Sequence, residues 1–148
     1  MTTRGPELDR LEVLVGRWKT DGWTRDDPDR RTEIHATDAY ERLPGGALLH
    51  IVDARVGDDK VDGAEIIGYD PAHASYVTQY FDSDGPTAYE ATLEEDDGAL
   101  VWAMRSAVSK FTGRFSDDGN TIVGRWELLD EDSAWQPWMD ITLTKRTG

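Results

Sequence analysis

Two side chains carry most of the chemistry this sequence could perform. His50 sits in the run Leu48-Leu49-His50-Ile51-Val52-Asp53-Ala54, and Glu65 sits in Gly63-Ala64-Glu65-Ile66-Ile67. Each run alternates as a half-buried strand does. Leu48, His50, Val52, Ala54 and Val56 fall on one face, with Asp53 and Arg55 on the other, so the face carrying His50 points inward. Gly63, Glu65, Ile67 and Tyr69 share a face in the same way, although Ile66 lies on the opposite one. The short turn at Gly57-Asp58-Asp59 makes the two strands neighbours. An inward imidazole beside an inward carboxylate suits proton transfer or the anchoring of a ligand. The plain alternative is a core histidine held by one hydrogen bond and an ordinary surface acid. Burial would raise the Glu65 pKa, and both groups need partners if buried. A hydroxyl of Tyr40 or Tyr69 is the candidate partner. Trp102, Trp126 and Met139, with the two tyrosines, are the candidate lining of a ligand cavity. The alternative is a barrel filled by its own side chains.

Other reactive groups are poorly placed. His35 alternates with the polar face of its strand and His73 falls in a turn, so both read as surface residues. There is no cysteine, which removes thiolate chemistry and disulfides. Ser75, Ser106 and Ser109 lack the context of a nucleophile elbow. No phosphate-binding loop, dinucleotide fingerprint or calcium-loop spacing occurs, and no metal-ligand spacing is convincing.

The elements that must position these residues are short. Residues 6–15, PELDRLEVLV, form the one good helical stretch, with Leu8, Leu11 and Val15 at helical spacing and Pro6 suited to the first turn. From Gly16 onward the pattern alternates between turn signals about ten residues apart. It predicts strands near 16–24, 31–42, 47–57, 60–69, 74–82, 87–95, 99–105, 109–116, 120–129 and 136–145. No crossover helix fits between them, so neighbours should be antiparallel. Closure of such a meander hides its edges. The expectation is an all-β, closed, antiparallel up-and-down barrel of about ten strands, one domain over 1–148, with the helix at about 6–15 and the barrel at about 16–145. A sandwich is the alternative. Trp18, Tyr40, Trp102, Met104, Phe111, Phe115, Trp126, Met139 and Ile141 are assigned to the interior. Tyr76 and Tyr80 share a face of unassigned side. Trp138 falls opposite Met139, at the barrel mouth or in an oligomer interface.

Thirty acidic residues against sixteen basic ones give a net charge of −14. That disfavours nucleic acid and anionic membrane surfaces as partners. Most of the acid lies in turns such as Asp26-Asp27, Asp58-Asp59, Glu94 to Asp97 and Asp130 to Asp132, which read as solvated. No run approaches the ~20 apolar residues of a membrane helix, and the N-terminus does not read as a secretory signal. The default is a cytoplasmic protein.

Gly16-Arg17-Trp18 after a short apolar helix resembles the opening of lipocalins, fatty-acid-binding proteins and nitrobindins. A longer set runs in order along nearly the whole chain: Leu14 to Trp18, Tyr40-Glu41-Arg42-Leu43-Pro44-Gly45-Gly46, Glu65 to Asp70, Phe115-Ser116-Asp117-Asp118-Gly119 and Trp138-Met139-Asp140. Together these resemble a bacterial family of lipocalin-like (calycin-type) barrels of unknown function. The resemblance implies the barrel and brings no activity with it. Nitrobindins hold haem through a histidine near the C-terminal end, whereas no histidine follows His73 here, so no cofactor is expected.

Three functions compete. The first is binding of a small apolar or aromatic molecule in the barrel, which requires a cavity above roughly 300 Å³. The second is a cofactor-free isomerase, cyclase or hydrolase using His50 and Glu65. The third is a homodimeric interaction module with the tryptophans at 135–138 on its surface.

Overall fold

The computed structural model describes residues 5–146, apart from residue 28 and the side chains at 26 and 27, so the Asp26-Asp27 acids lie outside the described side chains. Ten strands follow a short helical segment. They are β1 (Gly16–Asp27), β2 (Arg30–Arg42), β3 (Leu48–Val56), β4 (Asp59–Asp70), β5 (Ser75–Asp82), β6 (Gly85–Asp96), β7 (Ala99–Arg105), β8 (Ser109–Phe115), β9 (Thr121–Leu129) and β10 (Trp135–Lys145). Each strand pairs antiparallel with its sequence neighbour, and β1 pairs with β10 to close the barrel. No strand is left as an open edge, which is the physical gain of closure.

The helical segment is shorter than the expected 6–15. The α-helix α1 (Pro6–Arg10) passes into one 3₁₀ turn over Leu11–Leu14, and Val15 is already extended. This tighter turn drives Leu11 and Leu14 into one end of the barrel, where both are fully buried. The plug is tied down by polar bonds to the strands around it. Arg42 donates from Nη1 to the Leu8 and Gly46 carbonyls at 2.7 and 2.8 Å. The Tyr76 hydroxyl donates to the Glu7 carbonyl at 2.6 Å, and the Trp18 indole N–H donates to the Leu14 carbonyl at 2.9 Å. Leu48, Ile67, Leu93 and Phe115 pack around Leu11, Leu14 and Trp18. This end is therefore a filled apolar core.

Two local devices shape the rest of the interior. The Phe111 ring lies across Gly113 and Gly124, which face each other between β8 and β9. A Cβ at either glycine would sit 2.8 or 2.5 Å from that ring, so only glycine lets the ring lie against the wall. In β10 the register slips between Pro137 and Met139. This bulge breaks the alternation and brings Trp138 to the same side as Met139. The expectation that Trp138 points away from Met139 is corrected by it.

Candidate functional site

Above the plugged end, the interior holds a cavity of about 320 Å³. One wall comes from β2 to β5 and carries Asp38, Tyr40, His50, Glu65, Tyr80 and Asp82 among aliphatic side chains. The facing wall comes from β7 to β10 and presents Trp102, Met104, Phe111, Trp126, Trp138 and Met139. Trp138 meets Trp126 edge to face, with ring centroids 6.3 Å apart.

The ionisable cluster is built by register. Tyr40, His50, Glu65 and Tyr80 are directly opposite one another across β2, β3, β4 and β5. His50 Nδ1 lies 2.9 Å from Glu65 Oε1, and Nε2 lies 2.6 Å from Asp38 Oδ1. Both partners are acceptors when ionised, so both ring nitrogens must donate, and the ring is an imidazolium. The remaining oxygens are also satisfied. Thr20 Oγ1 donates to Asp38 Oδ2, and Thr78 Oγ1 donates to Glu65 Oε2 at 2.8 Å. All five groups are buried. Burial alone would push the imidazole pKa down. The hydrogen bonds and charges of Asp38 and Glu65 outweigh it and lift the pKa from 6.5 to about 9. Charge-assisted bonds of this kind compensate the desolvation of the ions only because every member is paired.

Tyr40 plays a different part from the one expected. Its ring, not its hydroxyl, meets His50, stacked at 4.0 Å between centroids and within 8° of parallel. An aromatic face against an imidazolium is a favourable cation–π contact. Burial, then the charges of Asp38 and Glu65, raise the Tyr40 pKa well above the usual phenol range. Tyr80 is raised to about 12, mainly by burial and then by nearby carboxylates. Both phenols are neutral hydrogen-bonding groups at neutral pH.

Of the sequence candidates, His50, Glu65, Tyr40, Trp102, Trp126 and Met139 meet at this cavity. Tyr69 does not. It lies one turn of the pleat beyond Ile67 toward the plugged end and packs edge to face on Tyr76 at 5.1 Å. Position along the strand, relative to the plug, decides this, and the face pattern does not report it. His35 and His73 are exposed and pair with Asp21 and Asp70.

The sequence reading missed Asp38, Thr20 and Thr78, left the side of Tyr80 unassigned, and set Trp138 opposite Met139 at the barrel mouth or in an oligomer interface. Asp38 had a signal: it lies two residues before inward-facing Tyr40 on the same strand, so it had to share its face. Trp138 had none, because a bulge is invisible to alternation. No group of three or more His, Asp or Glu among the described residues is arranged to hold a metal ion. The lone pairs of Asp38 and Glu65 point at opposite edges of the imidazolium and not at a common point. A larger depression of about 800 Å³ lies outside the barrel over β4 to β7, lined by Ile66, Val77 and Phe81. It is an open groove that reaches the cluster only at Thr78, whereas His50, Asp38 and Glu65 all line the inner cavity, which is the better-built site.

The family profile for "Protein of unknown function (DUF1579)" matches residues 3–145. The chain belongs to the DUF1579 family. No curated protein matches it. Among solved structures, it is similar to Rv2717c from M. tuberculosis, with 12% identity and a TM-score of 0.74 over 98% of this chain and 100% of that one. It is also similar to the S-type phycobiliprotein lyase CPES from Guillardia theta, with 10% identity and a TM-score of 0.63 over 98% and 95% of the two chains. At these identities the likeness is one of fold. DUF1579 here means a ten-stranded lipocalin-like barrel, and the chemistry must be argued from the cavity itself.

Proposed function

We propose that this protein binds a small aromatic molecule inside the barrel, seated on the aromatic wall and oriented by the His50 cluster. The observation that carries this reading is the interior cavity of about 320 Å³, with its ionisable cluster on one wall and its tryptophans on the other. Ligand sites are apolar concavities of roughly 300–1,000 Å³ with a few convergent polar groups, and this one falls at the small end. A barrel of this fold also serves the protein named as a phycobiliprotein lyase.

Proton-transfer catalysis by His50 and Glu65 is the weaker reading. Their side chains do converge, but both imidazole N–H groups are spent on carboxylates, and a pKa of about 9 keeps the ring protonated. A general base is best poised near the working pH with a free lone pair. The same occupancy argues against haem, since neither ring nitrogen is free to ligate iron. Dimerisation through the tryptophans at 135–138 is also weakened. Trp138 is turned inward, and the Trp135 ring is covered by Lys110, whose Nζ lies 4.7 Å from its centroid.

The test is a titration of intrinsic tryptophan fluorescence with naphthalenemethanol, a neutral bicyclic probe, alongside thermal denaturation. One probe per chain should perturb the emission. At a hundredfold excess over Kd it should stabilise the protein by about 2.7 kcal/mol. No saturable change, with no shift in melting temperature, would overturn the reading.

A further inference from the structure

We propose that the cavity selects cationic aromatic ligands, of the aryl or heteroaryl amine class, over carboxylates and other anions. This inference rests on the reading of the cavity as a ligand site and names the class of molecule it takes.

The charge inventory of the lining is one-sided. Among the described residues it holds three carboxylates, Asp38, Glu65 and Asp82, and neither lysine nor arginine. His50 is the single cation, and its two N–H groups are already committed to Asp38 and Glu65. One imidazolium between two carboxylates leaves the cluster at −1, and Asp82 adds to that sign. An anionic ligand would have to shed its water and meet no free positive group, which is costly in a low-dielectric interior. The arginines nearest the plugged end are bound elsewhere: Arg42 holds the Leu8 and Gly46 carbonyls and Arg10 holds the Leu93 carbonyl.

A cation finds the opposite environment. Tyr40, Tyr80, Tyr89, Trp102, Trp126 and Trp138 line the space, and aromatic faces attract an organic ammonium. Burial first, and then the charges of the neighbouring carboxylates, make Tyr40, Tyr80 and Tyr89 harder to ionise. Burial opposes an ion of either sign, and the carboxylate charges add a cost that falls on an anion alone. At long range, a net charge of −14 repels anions and draws cations to the protein. The aromatic wall explains why the ligand should be flat and apolar over most of its surface, and the acidic wall explains why its polar end should be positive.

The experiment is calorimetric titration at neutral pH and low salt with three probes that share one ring system: naphthylmethylamine, naphthalenemethanol and naphthoate. The amine should bind about tenfold tighter than the alcohol, and the naphthoate at least tenfold weaker, in keeping with desolvated cation–π and charge contacts. Glu65→Gln should make the cluster neutral and reduce the amine's advantage over the alcohol to about threefold or less. Ala36→Phe, which fills the cavity from β2, should abolish binding of the amine. If the alcohol binds as tightly as the amine, or naphthoate binds best, charge selection is wrong while the cavity reading stands. Undiminished amine binding in Ala36→Phe would place the amine on the acidic exterior and overturn the proposal. If none of the three binds, both readings fall.

Discussion

Deleting His50 should change how stability depends on pH, and its two carboxylate partners set the sign of the change. The folded-state pKa is about 9 against 6.5 for a free histidine. At roughly 1.4 kcal/mol per pH unit, that difference corresponds to about 3 kcal/mol. Below pH 6.5 both the folded and the unfolded chain hold the proton, and the stabilisation is fully present. Between pH 6.5 and 9 the unfolded chain has released its proton while the folded chain keeps it. Stability therefore falls across that window and levels off above it. Urea unfolding of wild type and His50→Gln at half-unit steps from pH 6 to 10 isolates the effect, because His35, His73 and the surface acids are common to both. The difference between the two proteins should shrink by about 3 kcal/mol as pH rises from 6.5 to 9. Long-range ¹⁵N spectra of the wild-type imidazole at pH 8 give an independent reading, with both ring nitrogens protonated. A flat difference, or one that grows with pH, would refute the claim that His50 is an imidazolium held by two carboxylates.

Other expectations follow from the same packing. His50→Leu should cost about 3–5 kcal/mol at neutral pH, because Asp38 and Glu65 are left buried without their shared cation. Urea unfolding at neutral pH measures this loss, and an unchanged midpoint would contradict it. Gly63→Ala should destabilise by about 1–3 kcal/mol and move the Tyr80 ring, since a Cβ there would lie 2.1 Å from the Tyr80 hydroxyl. A changed Tyr80 side-chain resonance together with a lower melting temperature would establish it. Leu14→Ala should cost about 2–5 kcal/mol in chemical denaturation, the range for emptying a fully buried leucine site.

The parts of this account that follow period-two alternation were legible in the sequence. Inward placement of His50 and Glu65 came from the runs around them, and their adjacency came from the turn at Gly57 to Asp59. The barrel came from ten evenly spaced strands with no room for a crossover. What alternation cannot report is depth along the barrel or a local slip of register. Depth separates Tyr69, half-buried against the plugged end, from Glu65, which faces the cavity four residues earlier. A slip turns Trp138 inward beside Met139. Asp38 is the instructive omission. Its face was fixed by Tyr40, but an acid beside a run of polar residues reads as solvated until the histidine that pairs with it is known to lie across the strand. The Thr20 and Thr78 hydroxyls that complete the carboxylates were hidden for a similar reason, since threonine suits either face of a strand.

The indole N–H signals test the central claim most directly. The six tryptophans divide by place: Trp102, Trp126 and Trp138 line the cavity, Trp18 is sealed against the plug, and Trp23 and Trp135 are absent from the cavity lining. Proton–nitrogen correlation spectra during titration with naphthalenemethanol should shift the indole signals of the three lining tryptophans together, saturating at one probe per chain, and leave those of Trp23 and Trp135 in place. Shifts confined to Trp23 or Trp135, or no saturable shift at Trp102, Trp126 and Trp138, would contradict a ligand site inside the barrel.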